Sequence, residues 1–413
     1  MGRQEQELEK RLDRFREQDL ALDMTRGKPN SDQLELGKGM LATAEPCSDD
    51  GVDLRNYGGL DGIPEAKRLF ADYLEVGLEE IIIGGNSSLR LMYDIVSQCI
   101  THGTAVGGKP WQGRKTKFLC PVPGYDRHFT ICEHFGIEMI PVEMLEFGPD
   151  TDEVERLVAQ DDTIRGMWCV PKYNNPTGYT YSDDVVERLA TMNTADKDFL
   201  LMWDNAYQVH HLGSEPIALR NILQACKKAG NPERVIIFGS TAKVAFPSSS
   251  LALTAGSECT LDWVKRRLFV QTIGPDKLNM LRHVRFFHDM GGILAHMQKH
   301  AAILKPKFNA IQEILARELG GKDLATWTDP RGGYFVSLDT SDGCASRVVA
   351  LAAECGVKFT MAGATFPYKD DPRDRNIRIA PTFPSLPEIR TAVEVLAVCI
   401  QRVALEMPNG ANS

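Results

Sequence analysis

No Cys-x-x-Cys pair occurs in this chain, although ten cysteines are scattered through its 413 residues. Zinc ribbons and thioredoxin-type redox sites need that spacing, so both are excluded. Many of the cysteines lie inside apolar runs (Cys99, Cys120, Cys169, Cys399), the pattern of buried reduced thiols rather than of a disulfide scaffold. No apolar run approaches the roughly 20 residues of a membrane span. The segment from Gly2 to Asp19 is charged and has no apolar centre, so no secretory signal is expected. Positive charge is in deficit, with 47 Lys and Arg against 56 Asp and Glu and a net charge of -9, which argues against a nucleic-acid partner. No G-x-G-x-x-G fingerprint follows the first strand and no Walker loop is present, which removes the usual dinucleotide and nucleotide sites. His296 and His300 have the spacing of a zincin pair, but the glutamate and a third ligand are missing, so they read as structural. These absences lead to a cytoplasmic protein with no membrane and no nucleic acid as partner.

The chain is too long for one simple core and suggests two or three domains. From residue 80 to residue 238 short apolar runs alternate with amphipathic stretches. Ile81–Ile83, Lys117–Cys120, Glu138–Val142, Gly166–Val170, Phe199–Trp203 and Arg234–Phe238 read as strands, with helices between them. This rhythm gives an α/β fold with a mostly parallel sheet and helices on both faces. A long helical region from Asp276 to about Leu319, interrupted at Gly291-Gly292, leads into a smaller α+β segment. The expected division is an N-terminal arm and part of a small domain over 1–48, a large domain over 49–285, and a small C-terminal domain over 286–413.

Four phrases carry the chemistry, each at the C-terminal end of an expected strand, the edge where open α/β sheets bind ligands. Gly84-Gly85-Asn86-Ser87-Ser88 joins a strand to a helix; its glycines, hydroxyls and free helix N–H groups suit a phosphate. Tyr173-Asn174-Asn175-Pro176-Thr177-Gly178 is a turn whose Asn175 amide is a donor for a ring oxygen. In Trp203-Asp204-Asn205-Ala206-Tyr207, the carboxylate of Asp204 ends an apolar strand and needs a cationic partner, such as a protonated pyridine nitrogen. In Phe238-Gly239-Ser240-Thr241-Ala242-Lys243, the lysine stands at a strand mouth, as a Schiff-base amine must. Phosphate cradle, phenolate donor, ring-nitrogen anion and amine together are the requirements of pyridoxal 5'-phosphate.

With these phrases in hand, the chain resembles the fold-type-I pyridoxal-phosphate-dependent aminotransferases, closest to the divergent bacterial-type aspartate aminotransferase subgroup. Asp23-Met24-Thr25-Arg26-Gly27-Lys28-Pro29, Gln271-Thr272-Ile273-Gly274-Pro275-Asp276-Lys277 and Asn376-Ile377-Arg378-Ile379-Ala380-Pro381 carry the likeness beyond the cofactor shell. The resemblance implies that Lys243 holds the cofactor as a Schiff base and then moves the proton at the substrate Cα. It gives Asp204 to the ring nitrogen, Asn175 and Tyr207 to the phenolic oxygen, and Tyr125 to the ring face. Asn86, Ser87, Ser88 and Ser240 go to the cofactor phosphate. Tyr57 would reach across a homodimer to the partner's phosphate. Arg378 would clamp the substrate α-carboxylate, with Gly27 and Asn175 alongside.

The implied activity is amino transfer between an acidic or related α-amino acid and a 2-oxo acid. Many relatives place an arginine about eight residues after the lysine, whereas Ser248-Ser249-Ser250 stands here. Lys277 is one source for the missing charge. The serine run keeps an alternative open, a β- or γ-elimination or replacement enzyme acting on a larger amino acid. Arg26, Arg127 and Arg282 are the candidates for a distal carboxylate.

Overall fold

The computed structural model describes residues 3–25, 27–41 and 46–406. At its centre is an eight-stranded sheet. In spatial order the strands are Ile81–Ile83, Ala252–Ala255, Val235–Ser240, Leu200–Asp204, Ile164–Cys169, Lys117–Val122, Glu138–Leu145 and Gly148–Pro149. The central pairings are parallel, and Ala252–Ala255 runs antiparallel between two strands that point the other way. Its Leu and Ala residues are buried like the β-branched runs beside them. Sequence periodicity did not reveal this strand. It is short and lacks the β-branched run that marked the others.

Apolar cores line both faces of the sheet. One packs Ile81, Ile83, Leu201 and Ile237 against the helices Pro64–Leu74, Asp183–Thr191 and Ile222–Lys228. The other packs Ile82, Phe118, Met202 and Phe238 against Ser88–His102 and Asp126–Phe135. Alternate residues of one strand therefore feed opposite cores, as a sheet covered on both faces requires. The helix starts follow local chemistry. Pro64 opens its helix at the first position, and the side chains of Ser87 and Ser182 accept from the backbone N–H groups of Arg90 and Val185.

A third apolar core joins the N-terminal helix Arg3–Arg16 to the C-terminal helix Leu386–Ala404, through Leu8, Leu12, Ala392 and Leu396. It is completed by a three-stranded antiparallel sheet of Ala325–Trp327, Val336–Thr340 and Asn376–Ile379. The helix Met290–Leu319 contributes to this core and to the first one. The break in the long helical region lies at His288-Asp289, not at Gly291-Gly292. His288 takes a positive φ of 65° and Asp289 caps the next helix. Gly292 sits inside the first turn, where a Cβ would overlap the Phe287 carbonyl, so here glycine serves close packing and not helix breaking.

Candidate active site

The strands Leu200–Asp204 and Val235–Ser240 are hydrogen-bonded neighbours, with Asp204 opposite Phe238. Their C-terminal ends bring Asp204 and Lys243 into one site. Asp204 is buried. One of its oxygens, Oδ2, lies 3.1 Å from His128 Nε2, and the other has no hydrogen-bond partner. His128 is itself fixed by stacking on Trp168, with ring centroids 4.3 Å apart and planes 10° from parallel. Lys243 Nζ lies 4.7 Å from the ring centre of Tyr207 and 5.9 Å from that of Tyr334. Burial lowers the pKa of this amine, and the charge of Asp204 opposes the shift. Burial raises the Tyr207 hydroxyl well above its ordinary range.

The turn Gly84–Ser88 sits at the end of Ile81–Ile83 and opens the helix Ser88–His102. Two residues of the serine run hold it. Asn86 Nδ2 donates to the Ser248 carbonyl at 3.1 Å, and Ser250 Oγ donates to the Asn86 carbonyl at 2.5 Å. Asn279 in turn donates to the Ser249 and Ser250 carbonyls. Ser250 is fully buried in this brace, and none of the three serines lines the cleft beside Lys243. Ser240 Oγ accepts from the Ala242 amide and shapes the first step toward the lysine.

A cleft of about 520 Å³ opens above Lys243, lined by Thr25, Gly27, Tyr125, Asn175, Tyr207 and Arg378 among others. Arg378 comes from the strand Asn376–Ile379 and is buried. Its Nη1 donates to Asp126 Oδ1 at 3.0 Å and to Asn175 Oδ1 at 3.4 Å, and its Nε has no partner. The guanidinium lies 5.1 Å from the ring centre of Phe335. Gly27 presses on the same ring, where a Cβ would overlap it.

Asp204, Tyr207, Asn175, Tyr125, Lys243, Gly27 and Arg378 are thus brought together from distant parts of the chain. Asn86, Ser87, Ser88 and Ser240 sit at the neighbouring strand ends. Tyr57 stands apart, 81% exposed. Lys277 Nζ donates to the Asn56 carbonyl at 2.7 Å, beside the Tyr57 loop. Arg127 lines the cleft mouth and makes no ion pair among the described residues. Arg282 is exposed on the helix Lys277–Phe287, and Arg26 lies outside the described residues. His128 and Asp126 were missed from sequence. Both lie in the first turn of the helix Asp126–Phe135, and only the folded chain brings them to Asp204 and Arg378.

The aspartate amino-transferase family model matches residues 2–411. The chain belongs to the aspartate aminotransferase family. An aspartate aminotransferase of Corynebacterium glutamicum is 43% identical over 97% of this chain and 94% of its own length. A Mycolicibacterium smegmatis protein with a provisional aminotransferase description is 49% identical over 94% of this chain and 92% of its own. The crystal structure of an aspartate transaminase from C. glutamicum superposes with a TM-score of 0.95 at 43% identity, covering 97% of this chain and 96% of that one.

The protein is therefore a pyridoxal-phosphate-dependent aminotransferase of fold type I. Its residues fit the cofactor. The partnerless Asp204 oxygen suits a protonated ring nitrogen, since a buried carboxylate oxygen left bare is costly. The deprotonation-prone Lys243 amine suits a Schiff-base anchor. No group of three or more His, Cys, Asp or Glu able to hold a metal occurs among the described residues, and His296 and His300 contact each other.

Proposed function

We propose that this aminotransferase acts on an acidic α-amino acid, aspartate or a near relative, with a 2-oxo acid as amino acceptor. The observation that carries the reading is the buried Arg378 guanidinium in the same cleft as the Lys243 amine. A fixed cation beside the amine fits an α-carboxylate and sets Cα over the reacting centre. The name of the C. glutamicum relative supports the acidic side chain. Arg127, free of any carboxylate at the cleft mouth, is the residue best placed for the distal carboxylate.

When bound, the cofactor supplies an electron sink that stabilises negative charge at the substrate Cα. The chain's own residues do the rest. Asp204 holds a proton on the ring nitrogen and is itself oriented by His128. Tyr207 and Asn175 take the phenolic oxygen, and Tyr125 covers the ring face. Asn86, Ser87, Ser88 and Ser240 hold the phosphate with the N-terminus of the helix Ser88–His102. Lys243 Nζ, its charge disfavoured by burial, is the group that would take the proton from the substrate Cα. The serine run that motivated an elimination reading braces the phosphate turn, so no observation favours that alternative.

We read residues 49–285 as the cofactor domain, with 1–48 and 286–413 forming the smaller one around the third apolar core. We also read the active form as a cytoplasmic homodimer. Phe269 and Val270 are 78% and 84% exposed on the helix whose following loop meets the equally open Tyr57 loop at Gly274 and Gly58, a surface that a second copy would cover. A Val270→Asp variant should sediment as a monomer; an unchanged dimer refutes that face.

The substrate reading is tested by adding single amino acids to the holoenzyme and following its absorption. Aspartate or glutamate should convert the long-wavelength cofactor band to the near-ultraviolet band of the aminated form at far lower concentration than alanine or leucine. Equal response to alanine refutes the acidic preference, and release of a 2-oxo acid with ammonia but no aminated cofactor refutes transamination.

A further inference from the structure

The turn that presents Lys243 is held from behind by a row of buried polar side chains that the chemistry above does not use. The turn is closed internally, since the amides of Val244 and Ala245 both donate to the Thr241 carbonyl. The carbonyls of Lys243 and Val244 point outward and meet side chains from elsewhere in the chain. Lys243 O faces His210 Nε2 and Tyr334 Oη, each at 3.3 Å. Val244 O faces His296 Nε2 at 2.9 Å. His296 Nε2 also lies 3.0 Å from His300 Nε2. Both branches converge on Gln33, whose Nε2 is 3.0 Å from His300 Nδ1 and 3.2 Å from Tyr334 Oη. Gln33, His210, His296, His300 and Tyr334 are all at most 5% exposed.

The direction of these bonds follows from one fixed donor. The Asn30 backbone N–H donates to Gln33 Oε1 at 3.2 Å in the capping box of the helix Ser31–Leu36. That contact turns the Gln33 NH₂ group toward His300 and Tyr334, and an amide NH₂ only donates. Tyr334 Oη accepts from it, which leaves the tyrosine hydrogen for Lys243 O. His300 Nδ1 accepts as well, so neutral His300 carries its proton on Nε2, directed at His296 Nε2. His300 and Val244 O therefore compete for His296 Nε2, which can accept from the first or donate to the second but not both; with the His300 hydrogen fixed, the 2.9 Å contact to Val244 O sets lone pair against lone pair. Burial disfavours the charged forms of both histidines, so an extra proton does not relieve this.

We propose that Gln33 is a positioning residue for Lys243: its amide sets the polarity of this row, so that donors from His210 and Tyr334 clamp the Lys243 carbonyl while Val244 O is left without one. The inference rests on Lys243 being the cofactor anchor. It ties the anchor to the N-terminal loop at the cleft, because Gly27 and Lys28 lead directly into the Asn30 cap and Thr382 holds the Lys28 carbonyl. Gln33→Glu is nearly isosteric but accepts where glutamine donates. The tyrosine hydrogen would then go to the carboxylate, His300 would carry its proton on Nδ1, and the donor would move from Lys243 O to Val244 O.

Two measurements decide it. In the wild-type holoenzyme, nitrogen-15 NMR of labelled histidine should show His300 protonated at Nε2 and bare at Nδ1; the opposite tautomer overturns the proposal. In cofactor-free protein, the pH profile of the reaction between Lys243 and added pyridoxal phosphate should shift in Gln33→Glu and Tyr334→Phe. The rate at neutral pH should drop about three- to tenfold, the scale of one hydrogen bond. The double variant should fall no further than the larger single effect. An unchanged profile in either folded variant, or additive losses, overturns it. Should Gln33→Glu not fold, Tyr334→Phe and the tautomer still decide. A Lys243→Ala protein that reacts as fast as the wild type would instead remove the anchor assignment itself.

Discussion

Asp126 Oδ1 sits 3.0 Å from Arg378 Nη1, so the protein's own carboxylate already occupies the guanidinium that a substrate α-carboxylate needs. Arg378 is buried and its Nε is without a partner, whereas the Asp126 side chain is 35% exposed. Substrate must share or displace this internal anion. Asp126→Asn should therefore tighten binding of a simple dicarboxylate inhibitor a few-fold, in line with the ~1 kcal/mol upper range of a partly exposed pair. Inhibition constants at low ionic strength test this, and weaker binding in the variant would mean that Asp126 orients Arg378 and does not compete for it.

The two Asp204 oxygens have separate duties, one toward His128 and one left bare. Asp204→Asn keeps the shape and the His128 contact but removes the negative charge. Turnover should fall on the order of 10³-fold, within the range of a lost proton-holding group, while the cofactor stays bound. His128→Gln should give a smaller loss. Steady-state kinetics and cofactor content after dialysis separate the two effects, and a near-normal kcat in Asp204→Asn contradicts the role assigned to the charge.

Gly27 touches the Phe335 ring, which also lies under Arg378. A methyl group at residue 27 must push that ring and tilt the guanidinium above it. Gly27→Ala should raise KM for the amino acid more than it lowers kcat, at a stability cost of about 1–3 kcal/mol for overpacking. Adding Phe335→Leu makes room and should restore part of the KM. A double variant no better than the single one would show that the glycine matters for its backbone alone.

Several buried histidines have pKa values pushed down by burial, His283 to about 4 and His300 to about 3, with His210 and His296 lowered as well. The unfolded chain binds protons at these sites near pH 6.5 while the folded one does not. Stability is therefore full above that pH and is lost progressively as pH falls toward 4. Urea midpoints should drop clearly between pH 7.5 and pH 5. Replacing His283, which bridges Thr241 and the Asn279 carbonyl, with Gln should reduce that pH dependence. A flat midpoint across this range contradicts the buried neutral state.

Much of the site was legible because its chemistry sits at strand ends. Asp204 closes an unbroken apolar run and Lys243 follows another, so burial, charge and location could be read from local residues. Asn175 and the Gly84–Ser88 turn were marked by turn formers in the same position. Asp126 and His128 were not legible, since their partners lie 252 and 76 residues away and nothing local distinguishes them from helix surface. The buried row behind Lys243 was invisible for the same reason; His296 and His300 showed only their spacing, and nothing local marks Gln33. The serine run drew attention as a departure from pattern, but its meaning depended on a carbonyl in another loop.

That carbonyl carries a consequence for how the molecule comes into being. Ser250 Oγ reaches Asn86 O across 164 residues of chain, and the strand Ile81–Ile83 pairs with Ala252–Ala255. The Gly84–Ser88 turn thus precedes in the chain the strand and the serine that complete it. A phosphate cradle at this turn would therefore be complete only once that later strand has been inserted beside it.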